Sequence, residues 1–187
     1  MLVRLLLVCL LGLLAACASP SFDGTSLPPR PAPDFTLVDQ HDRPWTLSAQ
    51  RGAAIALYFG YTHCPDDCPL TLAKLSRALS TLRDRRAEIA FVTVDPARDT
   101  PARMNAYLQH FHGAPIVGLT GSRTALARVY HAYGIWAQPL PRKPNGDYDV
   151  AHASPVFLID ASGMLRVVHD DSDPRDAFVH DLRELGA

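Results

Sequence analysis

An apolar run, a Gly-containing turn and two cysteines limit the folds that this chain can adopt. Ile55 to Phe59 is an uninterrupted apolar run of the kind that forms a buried strand. Beyond the turn, four leucines recur at helical spacing and predict a helix with one core face, namely Leu72, Leu75, Leu79 and Leu82. A second apolar run, Ile89 to Val94, follows that helix. A strand, a helix and a strand in this order predict a parallel pair with a right-handed crossover, and therefore an α/β domain.

The two cysteines of the turn, Cys64 and Cys68, lie where the first strand leads into the helix. A helix N-terminus favours thiolate over thiol, whereas Asp66 and Asp67 between the cysteines oppose it. In a helical turn, residues four apart lie roughly 6 Å from each other, which a disulfide tolerates. A disulfide closing so short a loop would stabilise the fold by only about 2 kcal/mol. A redox pair and a ligand pair for one soft metal ion are the stronger alternatives, and both stay open.

The segment from Gly60 to Pro69 resembles the metal-binding motif of Sco/SenC proteins, which are thioredoxin-fold copper proteins that assist cytochrome c oxidase assembly. Its Cys-x-x-x-Cys spacing differs from the Cys-x-x-Cys of ordinary thioredoxins. Val94 to Pro101 resembles the second signature of the same family. The resemblance implies a thioredoxin-like α/β fold, with a central mixed β-sheet flanked by helices. It also implies an N-terminal β-hairpin extension, for which Phe35–Val38 and Trp45–Leu47 are the predicted strands.

The same resemblance implies a metal site built from Cys64, Cys68 and His152. His152 matches the family's histidine at a loop-to-strand junction, although Ala151 stands where relatives often carry Asp. Asp95, at the end of the second buried strand, is an outer-shell candidate. His63 adjoins Cys64 and is the rival imidazole, but at a strand end its ring would point away from its neighbour's face.

The family resemblance also implies the cargo and the partners. The cargo is one copper ion per chain, as Cu(I) or Cu(II), and the client is a copper-accepting subunit of cytochrome c oxidase. Other copper chaperones or thiol reductants are further expected partners, and nucleic acid is not. The chain is then a metallochaperone rather than an enzyme. The alternative is a thiol–disulfide oxidoreductase with Cys64 as the attacking thiolate, which keeps a client's copper-site cysteines reduced. A peroxidase of the peroxiredoxin sort is disfavoured, because Thr62 does not precede Cys64 at the required spacing.

The first residues have the pattern of an export signal. Arg4 supplies a positive n-region, and Leu5 to Leu14 is an apolar region too short to span a bilayer. Leu14 to Cys17 resembles a bacterial lipobox, which implies removal of residues 1–16 and lipidation of Cys17. We therefore expect a lipid-anchored protein on the extracytoplasmic, periplasmic side of a bacterial cell envelope, a compartment that permits disulfides.

Residues 17–33 are predicted to form a flexible linker, because Pro28 to Pro33 is rich in proline and favours extended polyproline geometry. Residues 34–187 are long enough for one domain with a substantial core. The chain contains 18 Lys and Arg and 19 Asp and Glu, for a formal net charge of −1. This balance does not indicate a nucleic-acid-binding surface.

Overall fold

A computed structural model describes residues 20–82 and 86–186 of the chain. The predicted signal peptide and the lipidation site Cys17 lie outside these ranges. Within them, no helix combines the length and the apolar character needed to cross a membrane.

Eight strands form one mixed sheet, and a two-stranded ribbon stands apart from it. The strands of the chain are β1 (Thr25–Pro31), β2 (Thr36–Asp39), β3 (Pro44–Thr46), β4 (Ala54–Gly60), β5 (Ala87–Thr93), β6 (Ile116–Thr120), β7 (Ala137–Pro139), β8 (Val150–His152), β9 (Val156–Ile159) and β10 (Met164–His169). The α-helices are α1 (Asp67–Ser80), α2 (Pro101–Leu108), α3 (Arg123–Tyr133) and α4 (Arg175–Glu184), and Leu47–Gln50 forms a 3-10 turn. This architecture confirms the predicted α/β class with a mixed sheet.

The sheet has the strand order β1-β10-β9-β4-β5-β6-β2-β3, and the ribbon pairs β7 with β8. β4 and β5 are parallel, and so are β5 and β6, whereas β4 and β9 are antiparallel. All seven residues of β4 are buried, as expected for a central strand covered on both faces. The predicted strand–helix–strand unit is therefore present, and it sets the cysteine turn at the carboxyl end of a central strand.

The predicted N-terminal hairpin is formed by β2 and β3, which pair antiparallel with Leu37 opposite Trp45. Asp42 lies in its turn with a φ of +59°, in the left-handed region. Asp is one of the few non-glycine residues that adopt this conformation readily. Asp39 supports the turn by accepting hydrogen bonds from the backbone N–H groups of His41 and Arg43.

The N-terminal segment corrects one expectation. Residues 17–33 were predicted to be a flexible linker, but Thr25–Pro31 is an edge strand paired antiparallel with β10. The register shifts between Ser26 and Arg30, so that Pro28 and Pro29 fall in the irregular part of the pairing. Proline, which has no N–H to donate, is tolerated on an edge strand and at a bulge. The folded domain therefore begins before residue 34.

Candidate metal site

The loop between β4 and α1 places Cys64 beyond the carboxyl end of the central strand β4. A buried carboxylate, that of Asp99, holds this loop in place. Asp99 is fully buried and accepts hydrogen bonds from Thr62 N at 3.1 Å and Thr62 Oγ1 at 2.6 Å. It also accepts one from Thr93 Oγ1 at 2.6 Å. Asp99 thereby ties the cysteine loop to the end of β5, a role that the sequence pattern did not reveal.

The absence of a side chain at Gly60 makes room for Cys68. A Cβ built on Gly60 would lie 2.8 Å from Cys68 Sγ and 2.7 Å from the ring of Phe91. Cys68 lies in the first turn of α1 and is fully buried. Close approach of backbone to sulfur is therefore the reason for a glycine here.

The two thiols are free and differ in acidity. Cys64 is half-buried, and its Sγ accepts a hydrogen bond from Cys68 N at 3.3 Å. The hydrogen bond from the Cys68 thiol, helped by backbone N–H groups of Cys68 and Asp66, lowers the pKa of Cys64 to about 6 against burial and the nearby Asp67. The same thiol–thiol contact and burial raise the pKa of Cys68. The balance left open by the sequence therefore favours a thiolate on Cys64 and a retained proton on Cys68 at neutral pH.

His152 approaches the cysteines from β8 and has one nitrogen with a free lone pair. Its Nδ1 lies 3.0 Å from the carbonyl oxygen of Ala153. Because a carbonyl only accepts, Nδ1 donates this hydrogen bond, and in the neutral imidazole the lone pair lies on Nε2. His152 Nε2 lies 3.9 Å from Cys68 Sγ. The structure thus brings together the three predicted ligand residues.

Tyr61 positions this histidine and was not singled out from the sequence. Its ring meets that of His152 edge-to-face, with centroids 5.8 Å apart and planes at 85°. Its hydroxyl accepts a hydrogen bond from Val150 N at 3.2 Å. Tyr61 therefore contacts both ends of β8 from the cysteine loop.

Cys64 and His152 line an open cleft of about 400 Å³, whereas the buried Cys68 lies behind its surface. Within residues 20–82 and 86–186, three candidate ligand atoms that all lie within 4.8 Å of one another are found at Asp23, His180 and Asp181 and not at this cleft. The Cys64, Cys68 and His152 atoms are therefore spread more widely than this limit. A metal ion bound by all three would draw them together.

Asp95 does not touch the thiols or His152. It is buried, forms an ion pair with Arg98 and accepts a hydrogen bond from Tyr148 OH at 2.9 Å. The Arg98 guanidinium lies 3.6 Å from the centroid of the Tyr148 ring. Because Tyr148 precedes β8, Asp95 reaches the site through the segment that carries His152, and its partner Arg98 also lies 5.8 Å from the centroid of the Tyr61 ring. Its outer-shell role stays a prediction.

His63, the rival imidazole, faces α2 instead of the cleft. Its Nδ1 lies 3.1 Å from Thr62 Oγ1, and its Nε2 lies 2.9 Å from Arg103 Nη2. A guanidinium only donates, so the lone pair of Nε2 is engaged.

A second histidine cluster lies on β10, at the same end of the sheet as the cysteine loop, because His169 pairs with Val156 and Val156 pairs with Tyr58. His169 is fully buried, with Nδ1 2.8 Å from Asp173 Oδ2 and Nε2 2.9 Å from Asp181 Oδ2. Asp181 also accepts hydrogen bonds from Asp23 N at 2.7 Å and Gly24 N at 2.9 Å. With His180 and Asp23, Asp181 forms the cluster whose three ligand atoms lie within 4.8 Å. The carboxylate of Asp181 is already fully engaged, so this cluster fastens the start of β1 to α4.

Comparison with known proteins agrees with this fold. Mitochondrial SCO2 of Saccharomyces cerevisiae is 40% identical over 134 residues, which are 70% of this chain and 44% of that protein. The chain thus spans less than half the length of that relative.

Two solved structures share the fold over most of their length. Apo Sco1 of Thermus thermophilus matches with a TM-score of 0.78 at 33% identity, covering 90% of this chain and 99% of that chain. ScoI of Bradyrhizobium japonicum, solved with copper bound, matches with a TM-score of 0.70 at 31% identity, covering 82% and 98%. Residues 24–187 also match the family model described as SCO1/SenC. The chain belongs to the SCO1/SenC family.

Proposed function

We propose that this chain binds one copper ion through Cys64, Cys68 and His152 and passes it to a subunit of cytochrome c oxidase. The observation that carries the proposal is the position of His152, whose Nε2 lies 3.9 Å from Cys68 Sγ while the Ala153 carbonyl engages its Nδ1, beside the acidic thiol of Cys64. The oxidase client follows from the family resemblance.

The donor set fits copper by its chemistry. Thiolates are soft ligands that suit Cu(I), and a mixed sulfur and nitrogen set also holds Cu(II). Zinc accepts the same ligand types, but its structural sites are usually closed by a fourth protein ligand. The copper-bound relative supports this choice of metal. The open cleft beside Cys64 leaves a path by which a ligand of a partner protein could reach the ion.

Copper titration of two histidine variants tests the proposal. We expect His152→Ala to weaken Cu(II) binding the most and Cu(I) binding less, because sulfur dominates affinity for the softer ion. His63→Ala is the matched control, since it removes the imidazole next to Cys64 that faces Arg103. Unchanged Cu(II) spectra in His152→Ala, together with loss in His63→Ala, would contradict the ligand assignment.

The acidity difference between the thiols favours a second candidate function, reduction of a client disulfide. The Cys64 thiolate would attack the client disulfide, forming a mixed disulfide and releasing one client thiolate. Cys68, after losing its proton, would attack Cys64 Sγ and release the second client thiolate. The Cys64–Cys68 disulfide would then hold the oxidised pair until another thiol reductant restores it.

The redox state should control copper loading in either case, because a disulfide provides no thiolate ligand. We expect the reduced chain to bind one copper ion and the oxidised chain almost none. Copper should be titrated before and after reduction, with the 64–68 bridge verified by peptide mapping. Equal tight binding by both forms would mean that these cysteines are not the ligands.

The extracytoplasmic location is a further part of the proposal. Cys17→Ser should release the protein from the membrane or leave it unprocessed. Mass spectrometry that finds an unmodified Cys17 in an intact, mature wild-type chain would contradict the lipid anchor.

A further inference from the structure

The mouth of the cysteine cleft carries an exposed tryptophan and a group of carboxylates. Trp136 lines this cleft and is 57% exposed. The lining also includes Asp66, Asp67 and Asp149, and it contains no Lys or Arg. The whole chain is nearly neutral, with 18 basic and 19 acidic residues. The excess of negative charge is therefore local to the mouth.

Among the residues that the structure describes, no hydrogen bond or ion pair engages the side chain of Asp66 or Asp67. Asp66 occupies the position before α1, yet its side chain makes no capping hydrogen bond. Asp66 and Asp67 are both exposed, and neither forms an ion pair with any residue that the structure describes. Asp149, by contrast, is neutralised by Lys143 at 2.8 Å. Two free negative charges therefore face solvent beside Cys64.

The backbone at Trp136 is held by hydrogen bonds although its side chain is exposed. Its carbonyl oxygen accepts a hydrogen bond from Ala153 N at 3.1 Å. The next residue, Ala137, pairs with His152 in the β7–β8 ribbon. The backbone of Trp136 is therefore held next to the strand that carries His152, and its indole is presented at the mouth of the cleft. Exposed tryptophan side chains are among those that most often carry the binding energy of a protein interface.

We propose that this mouth docks a protein whose copper-accepting or copper-donating segment is flanked by Lys or Arg and has an apolar pocket for Trp136. The inference rests on the proposed function, because metal exchange requires the partner's ligands to reach Cys64. Asp66 and Asp67 would steer and orient the partner, and Trp136 would anchor it. Complementary charge is the basis for choosing a cationic protein segment over an acidic one.

Two labelled synthetic peptides provide the test. They share one Ser-x-x-x-Ser centre, which cannot exchange metal, and differ only in flanking lysines or glutamates. Fluorescence anisotropy measures their binding to the full-length, reduced, metal-free chain. At about 0.01 M ionic strength, where screening extends over about 30 Å, we expect the lysine peptide to bind about tenfold more tightly. The preference should shrink at about 0.15 M, where screening extends over about 8 Å.

Matched variants locate the effect. Asp66→Asn with Asp67→Asn should remove most of the preference, whereas Asp42→Asn with Asp176→Asn changes the net charge equally and should not. Trp136→Ala should weaken binding of the lysine peptide about tenfold, a typical loss for an interface anchor. Leu140→Ala removes another exposed apolar side chain, outside the lining of this cleft, and should have little effect.

Three results would overturn the docking inference. They are equal binding of both peptides, a preference that survives Asp66→Asn with Asp67→Asn, and self-association of the chain that Trp136→Ala abolishes. Copper retention against a chelator, measured on the same variants, separates this inference from the proposed function. A chain that binds the lysine peptide through these residues but retains no copper would refute the proposed function alone.

Discussion

The chain holds two buried or half-buried histidines in opposite ways. His169 has a carboxylate within 2.9 Å of each ring nitrogen and no exposed surface. His152 has only one nitrogen fixed, by the Ala153 carbonyl, and the other faces a thiol 3.9 Å away. The first arrangement encloses both ring nitrogens between buried or half-buried carboxylates, whereas the second leaves one nitrogen facing only a thiol. A histidine becomes a candidate ligand when the fold fixes one nitrogen and leaves the other without a strong partner.

We call His169, Asp173 and Asp181 the closed cluster, and Cys64, Cys68 and His152 the open cluster. The closed cluster should affect the stability of the fold, and the open cluster should affect metal binding. Asp181→Asn leaves His169 without one of its two carboxylates and weakens the hydrogen bonds to Asp23 N and Gly24 N. Removing one partner of a buried ion pair typically destabilises a fold by about 3–5 kcal/mol. We expect a loss of this size in the free energy of unfolding, measured by denaturant titration.

The control for this prediction is Asp176→Asn, which removes an exposed carboxylate from the same helix and should change stability by less than about 0.5 kcal/mol. Copper affinity should be unaltered in folded Asp181→Asn. A loss of copper binding without loss of stability would show that the closed cluster, not the open one, holds the metal.

The low pKa of Cys64 in the open cluster should be visible in the pH dependence of its alkylation rate. The pKa of Cys64 is lowered to about 6, so the group is a thiol below that pH and a thiolate above it. The alkylation rate of Cys64 should fall as pH drops through about 6 and level off above it, whereas an ordinary thiol has its midpoint near pH 8.5.

The cause of this shift can be tested separately. The hydrogen bond from the Cys68 thiol is the largest contribution, so Cys68→Ala should move the midpoint upward. Mass spectrometry of pulse-labelled peptides measures the rate at each pH. A midpoint near 8.5 in the wild-type chain would place Cys64 among unperturbed thiols and contradict the lowering of its pKa.

Local pattern predicted the sheet and the cysteine turn, because strands, helix periodicity and helix caps depend on neighbouring residues. Thr100 and Ser122, for example, cap their helices through side-chain hydrogen bonds within three residues. The resemblance supplied His152, which lies 84 positions from Cys68. Neither the local pattern nor the family resemblance indicated that the backbone N–H groups of Asp23 and Gly24 bind Asp181. These contacts span 158 and 157 positions of the sequence.

The proline-rich start of the chain shows why such contacts stay hidden. Composition alone favours an extended, solvated segment, and polyproline geometry is close to that of a strand. Only the exposed edge of β10 and the Asp181 carboxylate turn this segment into β1. Contacts between segments so far apart in the chain leave no periodic pattern in the sequence from which they could be predicted.

Gly60 provides a test of how tightly the open cluster is packed. In Gly60→Ala, the new methyl group would meet Cys68 Sγ and the buried Phe91 ring, both closer than 3.0 Å. Overpacking of this kind costs about 1–3 kcal/mol of stability. We expect that loss in denaturant titration, together with weaker copper binding from a displaced Cys68.

Gly121→Ala is the control for this change, because its methyl group would meet the end of the Leu37 side chain at 3.2 Å and Ala125 Cβ at an ordinary contact distance of 3.9 Å. It should leave copper affinity unchanged. Wild-type copper affinity in Gly60→Ala would mean that the site tolerates movement of Cys68.

Tyr61→Phe should have the smallest effect and bears most directly on how His152 is held. The change removes the hydrogen bond from Val150 N but keeps the ring that packs against His152. One lost hydrogen bond costs about 1 kcal/mol, and Val150 N is buried without it. If the ring alone orients the imidazole, Cu(II) spectra will match the wild type although stability decreases. If the hydroxyl fixes β8, the Cu(II) spectrum will shift while Cu(I) binding by the two thiols persists. Tyr61→Leu, which removes both contacts, should then resemble His152→Ala in Cu(II) binding, and a wild-type Cu(II) spectrum in that variant would exclude Tyr61 as a positioning residue.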